Sequence, residues 1–272
     1  MIKLNGEILE FTQFPNGETN VNGDQLRGLA YWGENVVELK YESDGDLVKL
    51  MFVKKYLDNI APRTSSLTIA YMPYSRQDRV EGNSVFTLKY VAEFINQLGF
   101  TSVSIAEPHS DVTMALVDRS SATYLTVNMT NDILEYIDFN VDTDYLFYPD
   151  AGAAKRYSKL ICGCKVLVGF KDRDFATGRI KSLEVVGDIP EPGFKVIIVD
   201  DLCSRGGTFV LAVEELKKRG ASEVYLVVAH CENSIADGDI LKDNGLITKV
   251  FTTDSILSVE HDKIEIFKGE NL

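Results

Sequence analysis

The chain has 272 residues, enough for one large domain or two small ones, and its 45% apolar content supplies a packed core. A formal charge of −13 at pH 7 argues against non-specific nucleic-acid binding, which needs a basic surface. No apolar run is long enough to span a bilayer, and the first seven residues, MIKLNGE, lack the apolar centre of a signal peptide. Cys162, Cys164, Cys203 and Cys231 form neither a CxxC pair nor a disulfide framework, and read as reduced thiols of a cytoplasmic protein.

In chain order, Phe14-Pro15-Asn16-Gly17-Glu18 is a turn between extended segments, because Pro and Asn-Gly both punctuate structure. A helix is expected from Asp46 to about Asn59, then a buried strand over Leu67 to Met72. The next helix covers Thr87 to Leu98, with Leu88, Val91, Ala92, Ile95 and Leu98 inward and Gly99 able to end it. Thr101 to Ala106 is a further strand. The scheme then restarts: strand Tyr145 to Tyr148, helix Ala151 to Ile161, strand Lys165 to Phe170, strand Lys195 to Val199, helix Gly207 to Arg219, strand Val224 to Ala229, and strand Ile264 to Phe267. Alternating strands and helices imply an α/β fold with mainly parallel sheets. Two halves of similar size are expected, 1–128 and 129–272, with the junction near Thr126 to Asp132.

The most specific stretch runs from Val196 to Thr208. Four apolar β-formers, Val196 to Val199, read as a parallel strand covered on both faces. Asp200 and Asp201 follow, then Ser204-Arg205-Gly206-Gly207-Thr208, then a helix with Phe209, Ala212, Val213 and Leu216 at helical spacing. Such a turn offers backbone N–H groups and a helix N-terminus to a phosphate. The two carboxylates suit ribose hydroxyls or a Mg²⁺ ion. The bland alternative is an ordinary strand, turn and capped helix. Earlier in the chain, Arg76, Gln77 and Arg79 follow directly on a strand, where α/β proteins bind ligands, and guanidinium forks match phosphate oxygens. The bland reading there is a solvated loop with an Arg–Asp pair. His109 sits at another strand end, but a lone histidine is more often structural than a ligand. Lys171 and Arg173 also end a strand, where charged loops are common.

Taken together and in order, six segments resemble the motifs of the ribose-phosphate pyrophosphokinase family: Phe14 to Glu18, Ser75 to Arg79, Glu107 to His109, Pro149 to Arg156, Lys171-Asp172-Arg173, and Asp200 to Thr208. Plain phosphoribosyltransferases have only the last. The resemblance covers most of the chain. It implies two type I phosphoribosyltransferase-like α/β domains with mainly parallel sheets and the active site between them. It also implies Mg²⁺-dependent transfer of a diphosphate from ATP to the anomeric hydroxyl of ribose 5-phosphate. By the same resemblance, Phe14, Asn16, Glu18, Arg76 and Gln77 would bind ATP, with the first three probing adenine from a neighbouring subunit of a homo-oligomer, at least a dimer. His109 and Asp150 would hold or orient Mg²⁺. Lys171 and Arg173 would be catalytic, closing over the transferring group. Asp200 and Asp201 would take the ribose hydroxyls, and Ser204, Arg205, Gly206, Gly207 and Thr208 the 5-phosphate. Residues 174–179, with Gly178 as a possible hinge, would form a mobile loop.

The sequence departs from the family in four places. Asn16 stands where Asp is usual, Glu107-Pro108 where Asp-Leu is usual, and Ser204-Arg205 where Asp-Thr is usual. The sequence also ends soon after the strand expected at Ile264 to Phe267, ahead of the family's last helix, which puts the usual hexamer and its regulation in question. The change at Ser204-Arg205 removes a carboxylate and adds a cation. It motivates a second reading, pyrophosphorylation of ADP-ribose in NAD salvage, in which Arg205 would meet the additional phosphate. A third reading is a non-catalytic relative that binds nucleotide or PRPP and regulates a partner.

Overall fold

A computed structural model describes residues 1–60, 64–173, 180–188, 191–242 and 246–268, with the backbone alone for 171–173 and 180–182. The chain divides into two compact units, Met1–Tyr124 and Leu125–Asn271. The division lies ahead of the expected 128/129 boundary. A single helix, Leu125–Tyr136, runs unbroken through that point and packs on strands of the second unit.

The first unit contains β1 (Ile2–Leu4), β2 (Glu7–Ile8), β3 (Phe11–Gln13), β4 (Thr19–Val21), α1 (Gly23–Leu29), β5 (Glu34–Leu39), α2 (Gly45–Asn59), β6 (Thr64–Ile69), α3 (Thr87–Leu98), β7 (Val103–Ala106), α4 (Asp111–Leu116) and β8 (Ser120–Thr123). Its main sheet has the order β2-β1-β5-β6-β7-β8. Strands β5 to β8 are parallel, and β1 joins antiparallel to β5. Alternate residues Val37, Leu39, Leu67, Ile69, Val103 and Ile105 point to one face, where they share a core with Leu50, Val53 and Leu57 of α2 and Leu88, Ala92 and Ile95 of α3. Strand β6 stops at Ile69, short of the expected Met72, so the segment from Ala70 begins the loop that carries Arg76 and Gln77. Helix α3 has the expected limits, and Gly99 closes it in the left-handed conformation at φ 73°. Strands β3 and β4 form a separate two-stranded hairpin.

The second unit contains α5 (Leu125–Tyr136), β9 (Tyr145–Tyr148), α6 (Ala151–Tyr157), β10 (Lys165–Arg173), β11 (Ile180–Val186), β12 (Lys195–Cys203), α7 (Gly207–Lys218), β13 (Glu223–Cys231), a 3₁₀ turn (Asn233–Asp237), β14 (Lys249–Thr253) and β15 (Ile264–Phe267). The sheet order is β11-β10-β9-β12-β13-β14-β15, parallel throughout except for the antiparallel edge strand β11. Val196 to Val199 are all fully buried at the centre of this sheet, as a strand covered on both faces requires. Val196 and Ile198 join Ala212, Val213 and Leu216 of α7 in one core. Strand β12 continues past Val199 to Cys203, because Leu202 and Cys203 still pair with His230 and Cys231 of β13. Strand β10 likewise runs on to Arg173 along its partner β11. Among the described residues, no helix is long and apolar enough to cross a membrane.

Candidate active site

Strand β12 delivers Asp200 and Asp201 to the end of the sheet, directly before the turn that opens α7. Asp200 is half-buried, and its Oδ1 accepts the N–H of Asp201 at 2.9 Å. Burial, then the Asp201 carboxylate, then Asp150 push the Asp200 carboxyl well above its usual range. Asp201 is buried and meets the Arg156 guanidinium, with Nη1 to Oδ1 at 3.2 Å. The neighbouring Thr126 hydroxyl of α5 donates to the Asp200 carbonyl at 3.5 Å.

The turn itself is shaped by its glycines. Gly206 caps α7 in the left-handed conformation at φ 75°, a backbone state that favours glycine. A Cβ on Gly206 would also lie 2.7 Å from Ile240 Cγ2. Gly207 opens the helix with nothing within 4 Å of where its Cβ would stand. The first turn of α7 has no intrahelical acceptors for its N–H groups and starts just after two carboxylates, an arrangement suited to a phosphorylated sugar. Arg205 is exposed, and among the described residues no carboxylate pairs with it. The Ser204 hydroxyl donates to Glu232 Oε2 at 2.6 Å.

Asp150 follows β9 and caps α6, its Oδ1 accepting the Ala153 N–H at 3.0 Å. Arg156, at the other end of the same short helix, reaches back to Asp201 and lies over the Tyr157 ring with its guanidinium carbon 5.5 Å from the centroid. Arg156 is a residue of this candidate site that the sequence does not single out. It was visible only as the last residue of the Pro149 to Arg156 segment, and its pairing with Asp201 joins residues far apart in the chain.

In the first unit, the loops after β6 and β7 converge. Burial raises the Asp78 carboxyl, but the nearby Ser110 hydroxyl, the Arg79 guanidinium and His109 more than reverse this and hold it below the usual range. Arg79 Nε donates to Asp78 Oδ1 at 2.9 Å. Gln77 and Arg76 are exposed, with Gln77 Oε1 accepting the Thr87 hydroxyl at 2.5 Å. Tyr74, at the start of this loop, has φ +62°, uncommon for a side chain of its size. Its hydroxyl donates to Asp44, which also accepts from Tyr41 at 2.5 Å. Burial, then the hydrogen bond to Asp44, raises the Tyr41 phenol; the hydrogen bond to Asp44 raises Tyr74; and the two phenol donors hold the Asp44 carboxyl below its usual range. Among the described residues, no three His, Cys, Asp or Glu side chains form a ready metal cage.

Phe14, Asn16 and Glu18 occupy the tip of the β3–β4 hairpin. The turn is closed by Phe14 N–H to the Glu18 carbonyl at 2.9 Å and Gly17 N–H to the Phe14 carbonyl at 2.8 Å. Asn16 Nδ2 donates to Glu18 Oε2 at 2.8 Å, so the amide at this position orients the carboxylate. Phe14 is 53% exposed, a large apolar ring displayed on a short polar hairpin. Lys171 and Arg173 lie on β10, where their backbone pairs with Leu183 and Ile180 across a bulge between Asp172 and Arg173. Their side chains, and the whole of residues 174–179, lie outside the described residues.

Comparison with known proteins gives the family and the fold. The family described as "Phosphoribosyl synthetase-associated domain" matches residues 174–268. Over 258 residues the chain is 31% identical to a ribose-phosphate pyrophosphokinase of Sulfolobus acidocaldarius, covering 91% of this chain and 84% of that protein. It is 28% identical over 267 residues to a ribose-phosphate pyrophosphokinase of Pyrococcus furiosus, covering 93% and 90%. Among solved structures, a phosphoribosylpyrophosphate synthetase from Mycobacterium smegmatis has a TM-score of 0.75 at 19% identity, covering 96% of this chain and 86% of that one. The fold is thus that of α/β proteins built from two phosphoribosyltransferase-like domains. With a relative above 30% identity along most of both chains, the protein belongs to the ribose-phosphate pyrophosphokinase family.

Proposed function

We propose that this protein transfers the diphosphate of ATP to the anomeric hydroxyl of ribose 5-phosphate, giving PRPP and AMP. The observation that carries the reading is the β12–α7 turn: paired carboxylates at a strand end, then free N–H groups at a helix start. The turn N–H groups of Gly206, Gly207 and Thr208 bind the 5-phosphate, with Ser204 and Arg205 completing the turn. Asp200 and Asp201 accept the ribose hydroxyls and fix the sugar, so that its anomeric oxygen is presented in one orientation. Arg156 pairs with Asp201 and holds its carboxylate in place. Lys171 and Arg173 neutralise charge on the transferring group. In the first unit, Arg76 and Gln77 hold ATP phosphates or base, and Phe14, Asn16 and Glu18 contact adenine from a neighbouring copy, which makes the protein a homo-oligomer, at least a dimer.

The donor set fits Mg²⁺. That ion takes one or two carboxylates and completes its shell with water and phosphate oxygens, so a full protein cage is not required. Burial, then the neighbouring Asp201 and Asp150 carboxylates, raise the Asp200 carboxyl, and a hard cation among these three side chains would relieve their repulsion. Asp150, with the Asp200 and Asp201 pair nearby, would hold it, and His109, just beyond the end of β7, is the other residue we assign to Mg²⁺. When bound, Mg²⁺ supplies neutralisation of the phosphate oxygens. The reading places the enzyme in the cytoplasm, in keeping with the free thiols of Cys162, Cys164, Cys203 and Cys231.

The test is AMP release from Mg-ATP with ribose 5-phosphate and, separately, ADP-ribose as acceptor. AMP formed with ribose 5-phosphate supports the reading. AMP formed with ADP-ribose alone would replace it by the NAD-salvage reaction, and ATP binding without AMP from either acceptor would replace it by a regulatory role.

A further inference from the structure

The turn that opens α7 carries Ser204 where the family usually has a carboxylate, yet a carboxylate stands beside it. The Ser204 hydroxyl donates to Glu232 Oε2 at 2.6 Å, and the Ser234 hydroxyl donates to the same oxygen at 3.0 Å. The two hydroxyl oxygens are 3.1 Å apart. Glu232 is fastened through its backbone as well, since its N–H donates to the Cys203 carbonyl at 2.8 Å. The segment that follows lies against the same turn: Gly238 meets the Arg205 carbonyl so closely that no Cβ fits between them, and Ile240 packs on Gly206. The turn therefore rests on residues 232–240, and Glu232 is the member of that support whose carboxylate accepts a hydrogen bond from it.

A serine hydroxyl has one proton to give. In Ser204 that proton is committed to Glu232, so the hydroxyl is not free to donate to a phosphate. Nor is Glu232 itself suited to contact a phosphate, because both are anions. Held between two hydroxyls, the Glu232 carboxylate is placed to set the geometry of the turn. A carboxylate that accepts two hydroxyl hydrogen bonds forms stronger and shorter contacts than a neutral acceptor would.

We propose that Glu232 is a positioning residue for the phosphate turn. Its carboxylate, gripped by Ser204 and Ser234, fixes the first residue of the turn and thereby the direction in which the N–H groups of Gly206 to Thr208 face the 5-phosphate. The proposal rests on reading that turn as the ribose 5-phosphate site.

The experiment is a carboxylate exchange, with KM for ribose 5-phosphate, KM for ATP, kcat and thermal melting measured for each protein. Glu232→Ser and Ser204→Asp are each expected to raise KM for ribose 5-phosphate about tenfold, the first by removing charged hydrogen bonds and the second by facing two carboxylates. KM for ATP is expected to stay within about twofold of the wild type in both. The double variant Ser204→Asp/Glu232→Ser restores one carboxylate between hydroxyls and is expected to recover most of the loss. Glu232→Gln, which keeps the shape and removes the charge, guards against misfolding and is expected to raise the same KM several-fold. An unchanged KM in folded Glu232→Gln and Glu232→Ser, or a double variant whose losses simply add, would overturn the proposal. Wild-type protein that makes no AMP from ribose 5-phosphate would instead overturn the functional reading and the proposal with it, and that result appears before any variant is made.

Discussion

Gly238→Ala tests the support of the phosphate turn most directly. Gly238 has ordinary extended backbone, φ −91° and ψ 171°, so alanine meets no conformational penalty there. The whole effect comes from contact. An added Cβ would lie 2.9 Å from the Arg205 carbonyl carbon and closer still to its oxygen. Carbon atoms in contact prefer about 3.5–4.0 Å, so the turn and its support must part by about 1 Å. A displacement of about 1 Å in a positioning element costs roughly a hundredfold in rate. Overpacking of this kind also costs about 1–3 kcal/mol of stability. Steady-state kinetics with ribose 5-phosphate varied at saturating ATP should show kcat/KM reduced about a hundredfold. Melting should fall by a few degrees, with KM for ATP unchanged. Gly207→Ala is the matched control. Its Cβ meets nothing within 4 Å, so melting should not move, yet ribose 5-phosphate affinity should fall because the methyl group enters the space facing the phosphate. A Gly238→Ala protein with wild-type kinetics and melting would show that the turn does not lean on this segment.

Three further predictions follow from the sites described. Lys171→Ala should lower kcat by about 10²–10³-fold with melting unchanged, and near-normal turnover would remove Lys171 from the chemistry. Tyr74→Phe deletes the hydrogen bond from a residue at φ +62° to Asp44; it should raise KM for ATP several-fold and leave that for ribose 5-phosphate alone, while equal changes in both would refute a local role. Asp200 has a folded-state pKa raised above its unfolded value, so its contribution to stability is full below about pH 4 and is lost as pH climbs through the raised value. Without ligand, the melting advantage of Asp200→Asn over wild type should therefore grow from pH 5 to pH 8, and a constant difference would contradict the assigned cause.

What the sequence revealed depended on how local the cause was. Strand β12 was legible because Val196 to Val199 are four apolar residues with no polar alternation, and α3 because its apolar spacing ends in a glycine that takes φ 73°. The extensions of β12 to Cys203 and of β10 to Arg173 were not, since a neighbouring strand determines how far pairing continues. Strand β5 also went unread: Glu34, Val36 and Glu38 alternate with Asn35, Val37 and Leu39, and the buried Asn35 breaks the apolar pattern while bonding to Asn5 and the Tyr31 backbone. At the candidate site, the carboxylate pair and glycine turn were plain in one stretch of sequence. The ion pair of Arg156 with Asp201 and the hydrogen bond of Ser204 with Glu232 were invisible there, because both join residues brought together only by the sheet.

Helix α2 gives the first unit a common ruler. At its N-terminus, Asp44 holds Tyr74 and so the loop of Arg76 and Gln77. Along its side, Lys49 lies 5.5 Å from the centre of the Phe11 ring on the hairpin, and the Tyr56 hydroxyl donates to the Gly23 carbonyl at 3.1 Å just beyond it. The hairpin that displays Phe14 and the loop that displays Arg76 are thus both mounted on one rod of 15 residues. Their separation is set by the pitch of a helix rather than by the slack of two loops. Whatever each of them engages, the distance between the two points of contact is already determined.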